Sequence, residues 1–219
     1  MREDTRTLRI HRFLPCNTVN GPGKRFVLWL QGCIGVPQPN GATRNCPGCW
    51  NSHTWDPGKG TSSTLDSIVE MINGSLLKNS IQGVTFSGGE PFQQARALSF
   101  LARKIRESLN LSLLIFTGYT YEFLMSSKAP SGSADLLKWT DALVAGPYLL
   151  SQKSNRSNLL GSANQEIVIL SNGISREELL GTQQYSAALD LSGHVTHTGF
   201  PEFLTNEQVW KKVSELLKK

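Results

Sequence analysis

Residues 25–50 read Arg25-Phe-Val-Leu-Trp-Leu-Gln-Gly-Cys33-Ile-Gly-Val-Pro-Gln-Pro-Asn-Gly-Ala-Thr-Arg-Asn-Cys46-Pro-Gly-Cys49-Trp50, an apolar run followed at once by three of the chain's four cysteines. The run Arg25–Gln31 has strand length and no polar alternation, as a strand buried on both faces of a parallel sheet requires. Gly32 lets the chain turn. Cys46 and Cys49 form a CxxC pair, and Cys33 stands at the far end of a loop rich in Gly, Pro and Asn, which is metal-ligand spacing. Thiolates so placed suit a zinc ion or an iron–sulfur cluster. His53 would complete a Cys3His zinc set, whereas a four-iron cluster in a simple electron carrier wants four cysteines. Three cysteines on such a cluster leave one iron open to an outside ligand. A disulfide is a further reading. Cys16 has no CxxC-like partner and reads as a small buried residue.

Downstream, Gly83-Val-Thr-Phe-Ser-Gly-Gly-Glu-Pro91 is an apolar strand running into a Gly-Gly turn. Alone, such a pair marks an ordinary strand–helix connection. Ser63 and Thr64 cap a helix with Leu65, Ile68, Val69, Ile72 and Leu76 at helical spacing. Ile81–Phe86 is the next strand, and Leu98, Leu101, Ala102, Ile105 and Leu109 mark a second helix. A strand over Leu111–Phe116, a helix near Tyr121–Ser126, and strands over Ala142–Ala145 and Glu166–Leu170 continue the alternation, the signature of a parallel α/β architecture. The Cys loop, Ser87–Glu90, Thr117-Gly118 and Ala145–Pro147 all fall at predicted strand ends and should converge on one face. Toward the C-terminus, Val195–Thr198 reads as a short strand carrying His197, with His194 just before it. Thr205 and Gln208 form a capping box for a terminal helix.

Val19-Asn-Gly-Pro-Gly23, Cys46-Pro-Gly-Cys49, Asn51 with Thr54-Trp55, Ser87-Gly-Gly-Glu-Pro91, Thr117-Gly-Tyr119 and Gly161-Ser-Ala-Asn-Gln165 occur in that order. The ordered set resembles the radical S-adenosylmethionine superfamily, and within it the activating proteins of anaerobic ribonucleoside-triphosphate reductases. The resemblance implies an α/β fold, a partial parallel barrel of the (β/α)6 type, in one domain over 1–219. Its core would span about 8–170, with 171–219 packed on the barrel. It implies a 4Fe-4S cluster on Cys33, Cys46 and Cys49, and S-adenosylmethionine held by Gly48, Trp50, Asn51, Ser87, Gly88, Gly89 and Glu90. It implies reductive cleavage to a 5′-deoxyadenosyl radical, which installs a glycyl radical on a partner such as anaerobic ribonucleotide reductase. A flavodoxin- or ferredoxin-type protein would donate the electron. A peptide or small-molecule target and a Cys3His zinc-binding interaction module are the alternative readings. The chain departs from the pattern twice. Twelve residues separate Cys33 from Cys46 where the superfamily's CxxxCxxC has three, and the insert Ile34–Asn45 reads as a lid, a partner contact or a neutral surface loop. Ala145 stands where the activators often carry aspartate, removing a potential polar contact from the active face.

At 219 residues, 39% hydrophobic and 18% charged, the chain has the composition of a soluble globular domain. No apolar run reaches the ~20 residues that cross a bilayer, and the charged N-terminus lacks the apolar core of a signal peptide. The cytoplasm is the expected compartment, where clustered cysteines mean metal or redox chemistry more often than disulfides. The net charge of +5 comes without a basic run, so no nucleic-acid partner is expected.

Overall fold

The computed structural model describes residues 6–154, 159–182, 185–189 and 195–199, the last two stretches by their backbone apart from Thr198. The strands are β1 (Thr7–Asn17), β2 (Arg25–Leu30), β3 (Val36–Pro37), β4 (Thr43–Arg44), β5 (Thr61–Thr64), β6 (Gly83–Gly88), β7 (Ser112–Thr117), β8 (Ala142–Ala145), β9 (Glu166–Ile169), β10 (Tyr185–Leu189) and β11 (Val195–Gly199). The helices are α1 (Leu65–Asn79), α2 (Ala95–Leu109), α3 (Tyr121–Leu124), α4 (Ser133–Trp139) and α5 (Arg176–Leu180).

Seven strands form one sheet in the order β5-β1-β2-β6-β7-β8-β9. Among the described strands only β2, β6, β7 and β8 pair in parallel; β1 pairs antiparallel with both β2 and β5, and β9 antiparallel with β8. The six parallel strands of the expected partial barrel are therefore not formed, and the sheet among the described residues is open. The cause lies in the connections. The turn through Asn20–Gly23 is too short for a crossover, and the described part of the connection from Gly146 to Gln165 holds a single 3-10 turn, Leu150–Gln152, rather than the helical crossover that usually brings a strand back parallel, so each returns the chain in the opposite direction.

The parallel strands are buried on both faces. Phe26, Leu28, Leu30, Val84, Phe86, Leu113, Ile115, Leu143 and Ala145 pack with α1, α2 and α4. Leu114 and Val144 belong to a second cluster on the opposite face, with Leu159, Ile167 and Leu179. Thr64 caps α1 by accepting from Ser67 N–H, and α2 buries Leu98, Leu101, Ala102 and Ile105 as their spacing predicts. Helix α4 has no counterpart in the sequence reading; it is short and follows a Pro- and Gly-containing turn that hides its period.

At the N-terminal end of the parallel strands lies Arg25, 1% exposed. Its guanidinium donates to Thr85 Oγ1 (2.7 Å), Ser112 Oγ (3.0 Å), Val84 O (2.7 Å) and Ser112 O (3.0 Å), lacing β2, β6 and β7 together. Burial pushes its pKa down to about 9.

The insert folds as the β3–β4 hairpin around Gln38–Gly41. Its root is buried at Val36 and Gln38, while Asn40 and Gly41 are exposed. No helix among the described residues is long and apolar enough to cross a membrane. The expected terminal helix with its capping box of Thr205 and Gln208, and the side chains of His194 and His197, lie outside the described residues.

Candidate functional site

A cavity of about 510 Å³ opens on the sheet face away from α1, α2 and α4, and reaches the C-terminal ends of β2, β6, β7 and β8. Cys33, Cys46 and Cys49 line it, together with Trp50, Asn51, Ser87, Gly88, Gly89 and Glu90. Nine of the ten sequence-predicted site residues thus meet in one place. The tenth, Gly48, stands outside that lining and packs against Leu150 and Tyr148.

The Cys loop is held by main chain. Gly32 N–H donates to Thr54 O (2.7 Å) and Cys33 N–H to Trp55 O (2.9 Å), so the far limb of the loop is tied to its start. Cys49 N–H donates to Cys46 O (3.1 Å), closing the CxxC turn. Each thiol has nearby donors: the Gly35 backbone for Cys33, Gln38 Nε2 and the Tyr148 backbone for Cys46, and the Asn51 backbone and Trp55 side chain for Cys49. Burial raises all three thiol pKa values, that of Cys33 to about 11. A bound metal centre reverses that preference, because a coordinated thiol is deprotonated outright.

The Gly-Gly-Glu turn is fitted to the same loop. A Cβ on Gly88, whose φ is +100°, would stand 2.5 Å from Leu30 O, and one on Gly89 would stand 2.1 Å from Gly32 O. Gly89 N–H donates to Leu30 O and Glu90 N–H to Gly32 O, both at 2.8 Å. The two glycines let the end of β6 lie directly on the backbone that launches the Cys loop. Sequence reasoning had them making room for a ligand; the first thing they make room for is the chain itself.

Glu90 is 2% exposed. Its carboxylate accepts from Phe92 N–H (3.0 Å), Thr117 Oγ1 (2.8 Å) and Gly118 N–H (2.7 Å), joining the ends of β6 and β7. Burial nevertheless raises its pKa to about 7, against those three donors. A carboxylate has about four acceptor sites, so one remains.

On the far side, Gln165 Oε1 accepts from Gly161 N–H (2.8 Å) and its Nε2 donates to Gly146 O (2.9 Å). Asn164 Nδ2 donates to Pro147 O (2.8 Å). The Gly161–Gln165 motif thereby holds the exit from β8 against the cavity. Ala145 is fully buried among the helix-side core residues, so its identity does not bear on the cavity as the sequence suggested; Val144 and Gly146 line it instead.

Several lining residues were not anticipated. Arg12 lies with its guanidinium carbon 4.6 Å from the centre of the Trp29 ring, and its Nε is buried without a hydrogen-bond partner among the described residues. A register shift between Ile10 and Arg12 explains its position: Ile10 pairs with Leu30 on the helix side, but Arg12 pairs with Trp29 on the cavity side. A bulge re-aims a side chain in this way and leaves no periodic signal. Tyr148, whose buried hydroxyl also lacks a partner, and Thr198, which donates to Asn20 Oδ1 (2.9 Å), complete the wall.

His53, the fourth member of a Cys3His zinc set, lies with its ring centroid 4.7 Å from that of His11. No group of three His, Cys, Asp or Glu side chains among the described residues is gathered as a single ion requires. A tetrahedral zinc draws its thiolates to within ~4 Å of one another, whereas a cluster takes each on a separate iron.

The family model for a 4Fe-4S single cluster domain matches residues 19–168. The anaerobic ribonucleoside-triphosphate reductase-activating protein of enterobacteria phage T4 is 29% identical over 172 residues, covering 76% of this chain and 97% of its own length. That of Vibrio cholerae is 30% identical over 166 residues, 73% of this chain and 97% of its own length. The pyruvate formate-lyase 1-activating enzyme of Escherichia coli is 37% identical over 89 residues, 40% of this chain and 32% of its own length. The chain with three thiols on one cavity belongs to the 4Fe-4S single cluster domain family and, within it, to the group of anaerobic ribonucleoside-triphosphate reductase-activating proteins.

Proposed function

We propose that the chain, folded as a single domain over 1–219, is a radical S-adenosylmethionine enzyme that installs a glycyl radical on a partner enzyme, anaerobic ribonucleotide reductase being the first candidate. The observation that carries this reading is the meeting of Cys33, Cys46 and Cys49 with Ser87–Glu90 in one cavity at the ends of parallel strands. In this reading Cys33, Cys46 and Cys49 would hold a 4Fe-4S cluster, and three protein ligands would leave it open to the cofactor. The chemistry such a cluster supplies when bound is one-electron cleavage of S-adenosylmethionine, giving methionine and a 5′-deoxyadenosyl radical that takes a hydrogen atom from the partner's glycine.

The chain's own residues bind, orient and exclude water. The remaining acceptor site of Glu90 suits the ammonium of the cofactor, and Ser87 suits a carboxylate or ribose oxygen. Trp50, with Lys153 Nζ 6.0 Å from its ring centre, and Asn51 stand on the side assigned to the adenine; Gly48 acts by setting the turn between Cys46 and Cys49. Trp29, Phe116, Val144 and Leu159 supply apolar wall, which keeps a reactive radical from water. The positive net charge favours an acidic electron donor of the flavodoxin or ferredoxin type, in the cytoplasm.

The test is anaerobic reconstitution with iron and sulfide, reduction with dithionite, and assay for 5′-deoxyadenosine on adding S-adenosylmethionine. Product, followed by a glycyl radical signal when a candidate reductase is added, is expected. Stoichiometric zinc in place of iron, with no product, would overturn the reading.

A further inference from the structure

The β3–β4 hairpin exists because twelve residues, rather than three, separate the first two cysteines of the cluster motif. It is fastened beside the thiols at several points. Gln93 Oε1 accepts from Ile34 N–H (2.9 Å) and Gln93 Nε2 donates to Gly35 O (2.8 Å), while Asn45 Nδ2 donates to Cys33 O (2.7 Å). Val36, 2% exposed, lies against Gly118. Gln38, 6% exposed, turns back under the hairpin. Its amide nitrogen lies 3.2 Å from Val36 O, 3.3 Å from Arg44 O and 3.8 Å from Cys46 Sγ. Carbonyl oxygens only accept, so the first two contacts identify the end of the amide that faces the sulfur as its NH2.

We propose that Gln38 is a positioning and tuning residue for the cluster: its side-chain NH2, delivered by the insert, shares one of its two hydrogens between a hairpin carbonyl and the Cys46 thiolate and raises the reduction potential. This inference rests on the cluster assignment proposed above. A donor directed at a ligand sulfur stabilises the state with more negative charge, which is the reduced one, and hydrogen bonds to sulfur together with solvent exposure are levers that set such potentials. Gln38 is nearly excluded from solvent, so water does not replace the donor when it is removed. The superfamily's shorter CxxxCxxC spacing leaves no chain for a side chain from this direction. The insert thus gives this protein a cluster that accepts an electron from a less strongly reducing donor.

The experiment is a redox titration, followed by electron paramagnetic resonance, of the reconstituted full chain and of Gln38→Leu, which keeps the bulk and removes the donor. The expected result is a midpoint more negative by a tenfold change in the reduction equilibrium, ~59 mV for one electron. A second measurement needs no variant. Wild-type protein grown with side-chain 15N-labelled glutamine should show a nitrogen coupling to the reduced cluster in pulsed resonance spectra, and Gln38→Leu should lose it. If Gln38→Leu fails to take up iron, the coupling in wild type decides. A midpoint that does not move overturns the proposal, as does one that moves with no nitrogen coupling in wild type, since solvent exposure alone then accounts for it. Failure of the wild-type chain itself to assemble a 4Fe-4S cluster would instead sink the functional reading beneath it.

Discussion

The two ends of the parallel strands are built on opposite principles. At the N-terminal end, Arg25 is buried with its donors directed at Thr85, Val84 and Ser112, and Thr85 Oγ1 in turn donates to Asn20 O. At the C-terminal end lie three thiols, a cavity, and three buried polar atoms without a hydrogen-bond partner among the described residues, Arg12 Nε, Tyr148 Oη and Asn164 Oδ1. One end satisfies its buried guanidinium within the chain; the other bonds Glu90 and Gln165 within the chain but leaves Arg12 Nε, Tyr148 Oη and Asn164 Oδ1 open toward the cavity and its rim. A buried polar group left unbonded costs about 1–3 kcal/mol, so these groups call for an ordered water or a ligand to meet them. The comparison separates residues that hold the sheet from residues that serve the site, and substitutions should respect it.

The largest effect is expected at the thiols. Cys46→Ala should abolish iron uptake and lower 5′-deoxyadenosine formation at least a hundredfold, while the apo protein's unfolding free energy stays within ~1 kcal/mol of wild type. Full iron content in that variant, by metal analysis, would break the ligand assignment. Arg25→Ala should do the reverse. It opens a void and strips donors from Thr85 and Ser112, for a loss of ~3 kcal/mol in denaturant unfolding. Protein that remains folded should still take up iron. A loss below ~1 kcal/mol would show that this end of the sheet does not depend on its buried cation.

The same contrast explains what could be read from the sequence. The four parallel strands and helices α1 and α2 were legible because burial writes itself as apolar runs and as 3.6-residue spacing. The three cysteines and Ser87–Glu90 were legible because they are adjacent in sequence to the strand ends that carry them. Arg12 was not, since a bulge between Ile10 and Arg12 moves it to the cavity side without altering composition. The antiparallel returns at β1 and β9 were missed because strand direction is fixed by the connection rather than by the strand. The role of Gly88 and Gly89 was half legible: the need for glycine was clear, but the neighbour that forbids a Cβ is Leu30 and Gly32 backbone, reached only through the fold. Gln38 sits in a stretch of Pro, Gly and Asn that looks like surface loop, and its burial follows from the docking of Val36.

Glu90 lies on the boundary between the two regimes, bonded within the chain yet lining the cavity, and its titration sharpens the comparison. Its folded pKa is raised from 4.5 to about 7, chiefly by burial. Between those values the folded state keeps a proton that the unfolded state has released, so stability falls as pH rises through this window. The whole shift corresponds to about 3 kcal/mol for the apo protein. Carboxyl carbon resonances of 13C-glutamate-labelled apo protein should show one group titrating near 7. Thr117→Val removes a donor to the carboxylate and should move that midpoint higher still. A midpoint near 4.5 would mean that water reaches the carboxyl and that Glu90 belongs with the open cavity rather than with the packed strand ends.

The smallest effect is the most discriminating. Tyr148→Phe deletes only a hydroxyl that has no hydrogen-bond partner among the described residues. At the N-terminal end, removing a polar atom breaks a bond; here it removes a buried group that has no partner among the described residues. The apo variant should therefore be as stable as wild type or more stable by up to ~1 kcal/mol, read from its unfolding midpoint. Binding of S-adenosylmethionine to the cluster-loaded protein, by equilibrium dialysis, should weaken about tenfold, because the ligand then loses the hydroxyl's hydrogen bond. If stability drops instead and affinity is unchanged, Tyr148 is packing the exit of β8, and the orphaned hydroxyl points to no ligand. If stability rises and affinity falls together, the hydroxyl is held out of balance for the cofactor, and the wall opposite the cysteines is part of the binding site rather than its scaffold.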